Sequence, residues 1–230
     1  MTNLRRLSVL FVIPLLALAT ACGDDESTET PAADSSQCTY RDSGQPAKPV
    51  EPPPGDPPKD APTEVMVATD RGNVKVSMDA DKAPCTVNSF LSLAKQGYFE
   101  NTRCHRLTAQ GLFVLQCGDP SATGQGGPGY AFDDELVDDD PRIQPCQADP
   151  AGGPDVCTYT TGTLAMANAG PGTNGSQFFL VYKDSPLPAA YTVFGRMSAA
   201  GLKVVQSVAK QGVEPGTETP KQPVTITSVK

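Results

Sequence analysis

Past Pro62 the apolar residues of this chain come in short stretches cut by glycine and proline, and only two stretches are long enough for a helix. That spacing restricts the fold more than any other feature. "EVMVATDRGNVKVSM" (64–78) alternates apolar and polar residues on either side of "TDRGN", which reads as a hairpin with turn chemistry at its tip. "TRCHRLTAQGLFVLQCGD" (102–119) reads as two short strands around a turn, and "YTVFGRM" (191–197) and "PVTITSV" (223–229) as further strands. The two helices are "APCTVNSFLSLAKQG" (83–97) and "SAAGLKVVQSVAK" (198–210). The first has Pro84 near its start, Val87, Phe90, Leu91 and Ala94 as its apolar residues and Gly97 as a stop; the second has Leu202, Val205 and Val208 on one face. Two helices among many short strands point to a β-barrel or sandwich rather than a parallel α/β sheet.

The chain ahead of this domain has a different character. Residues 1–21 carry Arg5 and Arg6, then an apolar run from Leu7 to Leu18, then small residues. A run of about twelve residues is short of the roughly twenty that span a bilayer, so it reads as a secretory signal peptide. Ala19-Thr20-Ala21-Cys22 fits the bacterial lipoprotein pattern, with Cys22 as the lipid-carrying new N-terminus. From Cys22 to Pro62 the sequence is acidic and then proline-rich ("PAKPVEPPPGDPPKDAP"), and is expected to be a disordered, extended tether. These features predict an exported protein anchored by lipid to the outer face of a bacterial membrane, with one domain over 63–230.

Six cysteines remain: Cys38, Cys85, Cys104, Cys117, Cys146 and Cys157. An even number in an exported chain predicts disulfides, with fifteen possible pairings; Cys146 and Cys157 flank a Pro/Gly/Asp-rich loop and are the favoured pair. With no C-x-x-C spacing and His105 as the only histidine, the chain does not read as a zinc protein. A net charge of −8 argues against nucleic acid as a partner.

Arg106 and Gln116 fall on the two strands of one predicted hairpin, with Phe113 and Val114 between them, so a cation, an amide and two apolar side chains can share a patch. "ANAGPGTNGSQFFL" (167–180) supplies a compact polar loop that runs into Phe178 and Phe179, which on a strand point to opposite faces. His105 has no partner histidine and the chain has no G-x-S-x-G, so His105 reads as a packing or hydrogen-bonding residue. "FDDELVDDDP" (132–141) reads as a solvated acidic loop.

Together "HR", "LFVLQCGD", "GQGGPGYAFDDE", "GTLAMANAGPGTNGSQFFL" and "YTVFGRM" resemble the cyclophilins, the peptidyl-prolyl isomerases, over nearly all of 63–230. The resemblance implies a closed antiparallel eight-stranded β-barrel capped by two α-helices. It implies Arg106 as the catalytic arginine, with Gln116 beside it. It implies a proline pocket of Phe113, Val114, Phe179, Leu187 and Tyr191, a peptide-gripping edge of Ala167, Asn168 and Ala169 with Gln177 nearby, and Gly124 in a neighbouring specificity groove. The chain departs from the family pattern in two extra residues between Arg106 and Phe113 and in an insert at about 138–159. Tyr191 stands where many eukaryotic members have histidine. Pro186 stands in place of a tryptophan that helps bind cyclosporin, so binding of that drug is expected to be weak or absent. The implied partners are proline-containing polypeptides, with no cofactor or metal, and the protein is expected to be a monomer. A module that binds proline segments without turning them over is the alternative, because the longer turn could displace the arginine.

Overall fold

The computed structural model describes residues 37–230. The proposed signal peptide and Cys22 lie outside the described residues. The chain runs through β1 (Arg41–Asp42), β2 (Glu64–Thr69), β3 (Gly72–Met78), α1 (Pro84–Lys95), β4 (Thr102–Arg103), β5 (Arg106–Leu107), β6 (Val114–Cys117) and β7 (Tyr130–Ala131). It continues through β8 (Cys146–Gln147), β9 (Val156–Tyr159), β10 (Thr163–Met166), β11 (Phe178–Val181), β12 (Ser185–Pro188), β13 (Val193–Met197), α2 (Ala199–Ala209) and β14 (Thr225–Val229).

Nine strands form one curled antiparallel sheet in the order β4-β14-β2-β3-β13-β10-β11-β6-β5. The mainly β architecture with two helices agrees with expectation; closure into an eight-stranded barrel is not established by this strand order. The sheet's two edges, β4 and β5, are pieces of a single stretch broken at Cys104 and His105. At the break the Cys104 amide donates to Val224 on the β14 side, whereas the His105 amide donates to Gln116 on the β6 side. The β2–β3 hairpin turns at Asp70-Arg71, with Thr69 opposite Gly72, as its alternation predicts.

Each helix buries one stripe. On α1, Val87, Phe90 and Leu93 face the sheet, and the Phe90 ring meets Phe99, Phe178 and Phe194 at centroid separations of 5.0, 5.5 and 5.5 Å. Ala83 offers no side-chain cap, so the orphan amides at the start of α1 are met from elsewhere. The Glu135 carboxylate accepts from the Cys85 and Thr86 amides, both at 2.8 Å, and from the Thr86 hydroxyl at 2.7 Å. On α2, the Ser198 hydroxyl caps Gly201 at 3.1 Å. Gly201 comes so close to β3 that an added Cβ would sit 3.1 Å from the Lys75 nitrogen.

The acidic run is therefore not simply solvated: Glu135 caps a helix, and Asp140 is buried against Arg142. A second, smaller apolar cluster lies on the other face of the sheet. It joins Val114, Ala165, Phe179, Val181 and Val193 to Cys157 and Tyr159 of the insert. The insert forms β8 and β9, and β9 pairs with β12.

The stretch expected to be a tether departs from expectation from residue 37 onward. It lies along the domain as an arm, because Cys38 bonds to Cys85 and Tyr40 packs edge-on against Tyr130 and Phe132. β1 pairs with β7, and the Lys48 ammonium donates to the Gly97 carbonyl at 2.5 Å. Low hydropathy failed as a guide because a covalent link and backbone hydrogen bonds supplement the few apolar side chains, Tyr40 and Val50 among them, that pack on the core. The other two disulfides join Cys104 to Cys117 and Cys146 to Cys157, the latter as favoured from sequence. Replacing both Cys38 and Cys85 by serine opens a long loop in the unfolded chain. It is expected to lower stability in urea unfolding by about 3 kcal/mol and to expose the arm to protease before the rest of the domain.

Candidate functional site

Strand register assembles the site. Arg106 on β5 is paired with Gln116 on β6, Gln116 with Phe179 on β11, and Phe179 with Ala165 on β10. Cross-strand partners share a face, so these residues form one transverse row on the outer side of the sheet. Their chain neighbours Leu115, Phe178 and Leu164 point the other way, into the main core. The row opens into a hollow of about 160 Å³ lined by Arg106, Leu112, Val114, Gln116, Ala167, Asn168, Phe179, Leu187 and Tyr191.

Phe113 is the one expected pocket residue that lies elsewhere. Val114 opens β6, and the residue just ahead of it that lines the hollow is Leu112 rather than Phe113. Phe113 turns to the opposite side, where its ring meets Tyr182 edge-on and the Lys183 ammonium sits 4.3 Å from its centroid. Its amide donates to the Ser185 hydroxyl at 2.9 Å.

The guanidinium of Arg106 is fixed on two sides. Its Nε donates to the Glu218 carboxylate at 2.6 Å and its Nη1 to the Gln116 side-chain oxygen at 3.4 Å. Glu218 was missed from sequence, being 112 residues away with no local signal. The Gln116 amide nitrogen donates to Gln177 at 2.9 Å, and Gln177 in turn donates to the carbonyls of Gly124 and Gly126 at 3.0 and 2.9 Å. This chain of amides ties the hollow to a second groove of about 310 Å³, which holds Gly124, Ala169 and Gln177. Gln116, Ala167 and Asn168 line both spaces.

The loop between them is ordered by a buried carboxylate. Asp119 accepts from the amides of Ser121, Thr123, Gly124 and Gly126 and from the Ser121 hydroxyl. Burial alone would raise its pKa; the Ser121 hydroxyl and these amides outweigh that and hold it below the usual carboxylate value. Gly126 must be glycine, since an added Cβ would sit 2.0 Å from an Asp119 oxygen. His105 lies behind the loop with both ring nitrogens shielded from solvent and without a hydrogen-bond partner, Gln177 being committed to Gln116, Gly124 and Gly126. Burial lowers its pKa below 6.5; Asp119 opposes this and the charge of Arg106 adds to it. His105 is thus a packing residue, one of the two roles read for it from sequence. Tyr191 is held through its backbone, whose carbonyl accepts from the Tyr159 hydroxyl at 3.2 Å.

A row of one cation, one amide and one aromatic ring beside a small hollow with Leu112, Val114 and Leu187 in its walls can hold a proline ring and present a hydrogen-bond donor to it. Comparisons with known proteins agree with that capacity. The sequence pattern of the cyclophilin type peptidyl-prolyl cis-trans isomerase/CLD family matches residues 64–230. A probable peptidyl-prolyl cis-trans isomerase B of Mycobacterium tuberculosis is 49% identical over 206 residues, which cover 84% of this chain and 63% of that protein. The chain thus spans under two-thirds of the length of that relative. A peptidyl-prolyl cis-trans isomerase-like 1 of Rhizopus delemar is 40% identical over 147 residues, covering 62% of this chain and 78% of that one. A crystal structure of a Cryptosporidium parvum cyclophilin type peptidyl-prolyl cis-trans isomerase superposes with a TM-score of 0.59 at 28% identity, over 73% of this chain and 95% of that one.

Two outcomes follow from the geometry. Leu112→Ala should weaken binding of a short Ala-Pro peptide about tenfold in calorimetry, whereas Phe113→Ala should leave it within about twofold. A histidine whose folded pKa is lowered leaves the unfolded chain binding more protons as the pH falls below its ordinary value, so stability drops on acidification. Urea unfolding at about pH 7 and about pH 5 should show that drop in the wild type and a smaller one in His105→Phe.

Proposed function

The chain belongs to the cyclophilin-type peptidyl-prolyl cis-trans isomerases, and on that footing we propose that it catalyses rotation about X–Pro peptide bonds in exported or cell-surface proteins. The observation that carries this reading is the transverse row of Arg106, Gln116 and Phe179 facing one small hollow.

Rotation of an X–Pro amide is slow because the C–N bond has partial double-bond character, with a barrier of about 18–20 kcal/mol. No covalent bond is made or broken. What accelerates it is a site that fits the twisted amide better than the planar one. In the twisted form the prolyl nitrogen becomes pyramidal and gains a lone pair, which the fixed Arg106 guanidinium stabilises by a hydrogen bond. Glu218 and Gln116 hold that guanidinium in place, so little reorganisation is required during the reaction. Phe179, Leu112, Val114, Leu187 and Tyr191 grip the proline ring while the other side of the amide turns. The edge formed by Ala167, Asn168 and Ala169 has small side chains along which a peptide backbone can lie. An acceleration of about 10⁵ requires only about 7 kcal/mol, of which one oriented cation aimed at the prolyl nitrogen can supply much.

Export and lipid anchoring at Cys22 are part of the same proposal. Three disulfides support an oxidising compartment. Pro186, exposed on β12 beside Leu187, supports weak or absent cyclosporin binding.

The test is cis-to-trans exchange in a short Ala-Pro peptide. Wild type should accelerate it, and Arg106→Ala should lower kcat/KM about 100-fold or more while the peptide still binds. Exchange that is undiminished in the variant overturns the mechanism. A wild type that binds the peptide without accelerating exchange would instead identify a binding module.

A further inference from the structure

The family match starts at residue 64, yet the groove beside the hollow has a wall that includes a residue ahead of it: Ser43 lines that groove together with Gln177 and the 124–128 loop. We propose that residues 41–44 of the arm act as a strap that determines which substrate side chain the groove accepts, with Ser43 as the selecting residue. The proposal rests on the isomerase reading and specifies its substrate class, namely peptides that carry an uncharged side chain close to the proline.

The strap is fastened to both loops that border the groove. On one side the Ser43 amide donates to the Gly129 carbonyl at 2.9 Å, the Ala47 amide donates to Gly127 at 2.9 Å, and β1 pairs with β7. On the other side Arg41 donates to the Gly172 carbonyl at 2.9 Å, while gripping Asp133 with two bonds of 3.0 and 2.8 Å. The Cys38–Cys85 disulfide fixes the start of the strap to α1. Ser43 itself is exposed, so its side chain is free to meet a ligand.

The groove shares Gln116, Ala167 and Asn168 with the proline hollow, so a peptide lying along 167–169 passes from one space into the other. Among the described residues, no charged side chain lines the groove. A charged substrate residue entering it would lose water with no counter-charge in return, whereas an uncharged one would not.

The test uses Ala-Pro peptides in which one flanking residue, before or after the pair, is Ala, Leu, Lys or Glu. Wild type should favour Ala and Leu over Lys and Glu at one flanking position. Ser43→Trp, which fills the groove, should lower kcat/KM for the Leu peptide about tenfold and leave the Ala peptide within about twofold. Ser43→Asp should raise the preference for Lys over Glu about fivefold, a gain that simple damage to the fold cannot produce. Variants that leave discrimination unchanged, or that slow every peptide equally, overturn the proposal. If wild type exchanges no peptide, the isomerase reading fails separately, and the same panel read by calorimetric binding decides for or against the strap.

Discussion

The site depends on the register between β6 and β11. With Gln116 opposite Phe179, one face of this strand pair carries Val114, Gln116, Phe179 and Val181, and the other carries Leu115, Cys117, Phe178 and Leu180. A one-residue slip of β11 would turn Phe178 toward the hollow and Phe179 into the main core, and a slip of β6 would instead drive Gln116 into that aromatic core with no hydrogen-bond partner. The register is protected because both faces are buried. Phe178 is locked between Phe90 and Phe99, and Phe179 lies against Tyr159 and Tyr191. Burying each such ring contributes on the order of 2–3 kcal/mol, so a slip that loses both is strongly disfavoured.

The smaller apolar cluster gives the insert a purpose. β9 pairs with β12, placing Cys157 opposite Leu187, and the Tyr159 hydroxyl donates to the carbonyls of Pro188 and Tyr191. Leu187 and Tyr191, two walls of the hollow, thus rest on residues from the insert. The Cys146–Cys157 link holds the insert's hairpin closed, so the support does not depend on a large core of its own.

Much of this was legible in the sequence, and the failures have physical causes. The β2–β3 hairpin, both helices and the pairing of Arg106 with Gln116 follow from periodicity and turn residues, which are local signals. Leu112 was not singled out from sequence: the resemblance pointed to Phe113, whereas the structure puts Leu112 in the hollow and the Phe113 ring against Tyr182, a placement set by the turn that follows Arg106 rather than by strand alternation. Glu218 could not be read, because only the closing of β5 near the chain's last loop brings it to Arg106. The ordered arm could not be read from hydropathy either, because backbone pairing and a disulfide supplement its few apolar side chains. Glu135 illustrates the same point: its charge suggests solvent, and its location makes it the cap of α1.

The link between Cys38 and Cys85 also governs how the domain carries mechanical load. Tension applied to the chain ahead of Cys38 passes through the sulfur bridge into the first turn of α1, and the 46 intervening residues, β2 and β3 among them, stay slack. β2 lies inside the sheet between β14 and β3, so peeling it would unzip the sheet from its middle. Suspended from a helix instead, the domain can be pulled by its leading end without loosening the strands that carry Arg106 and Phe179.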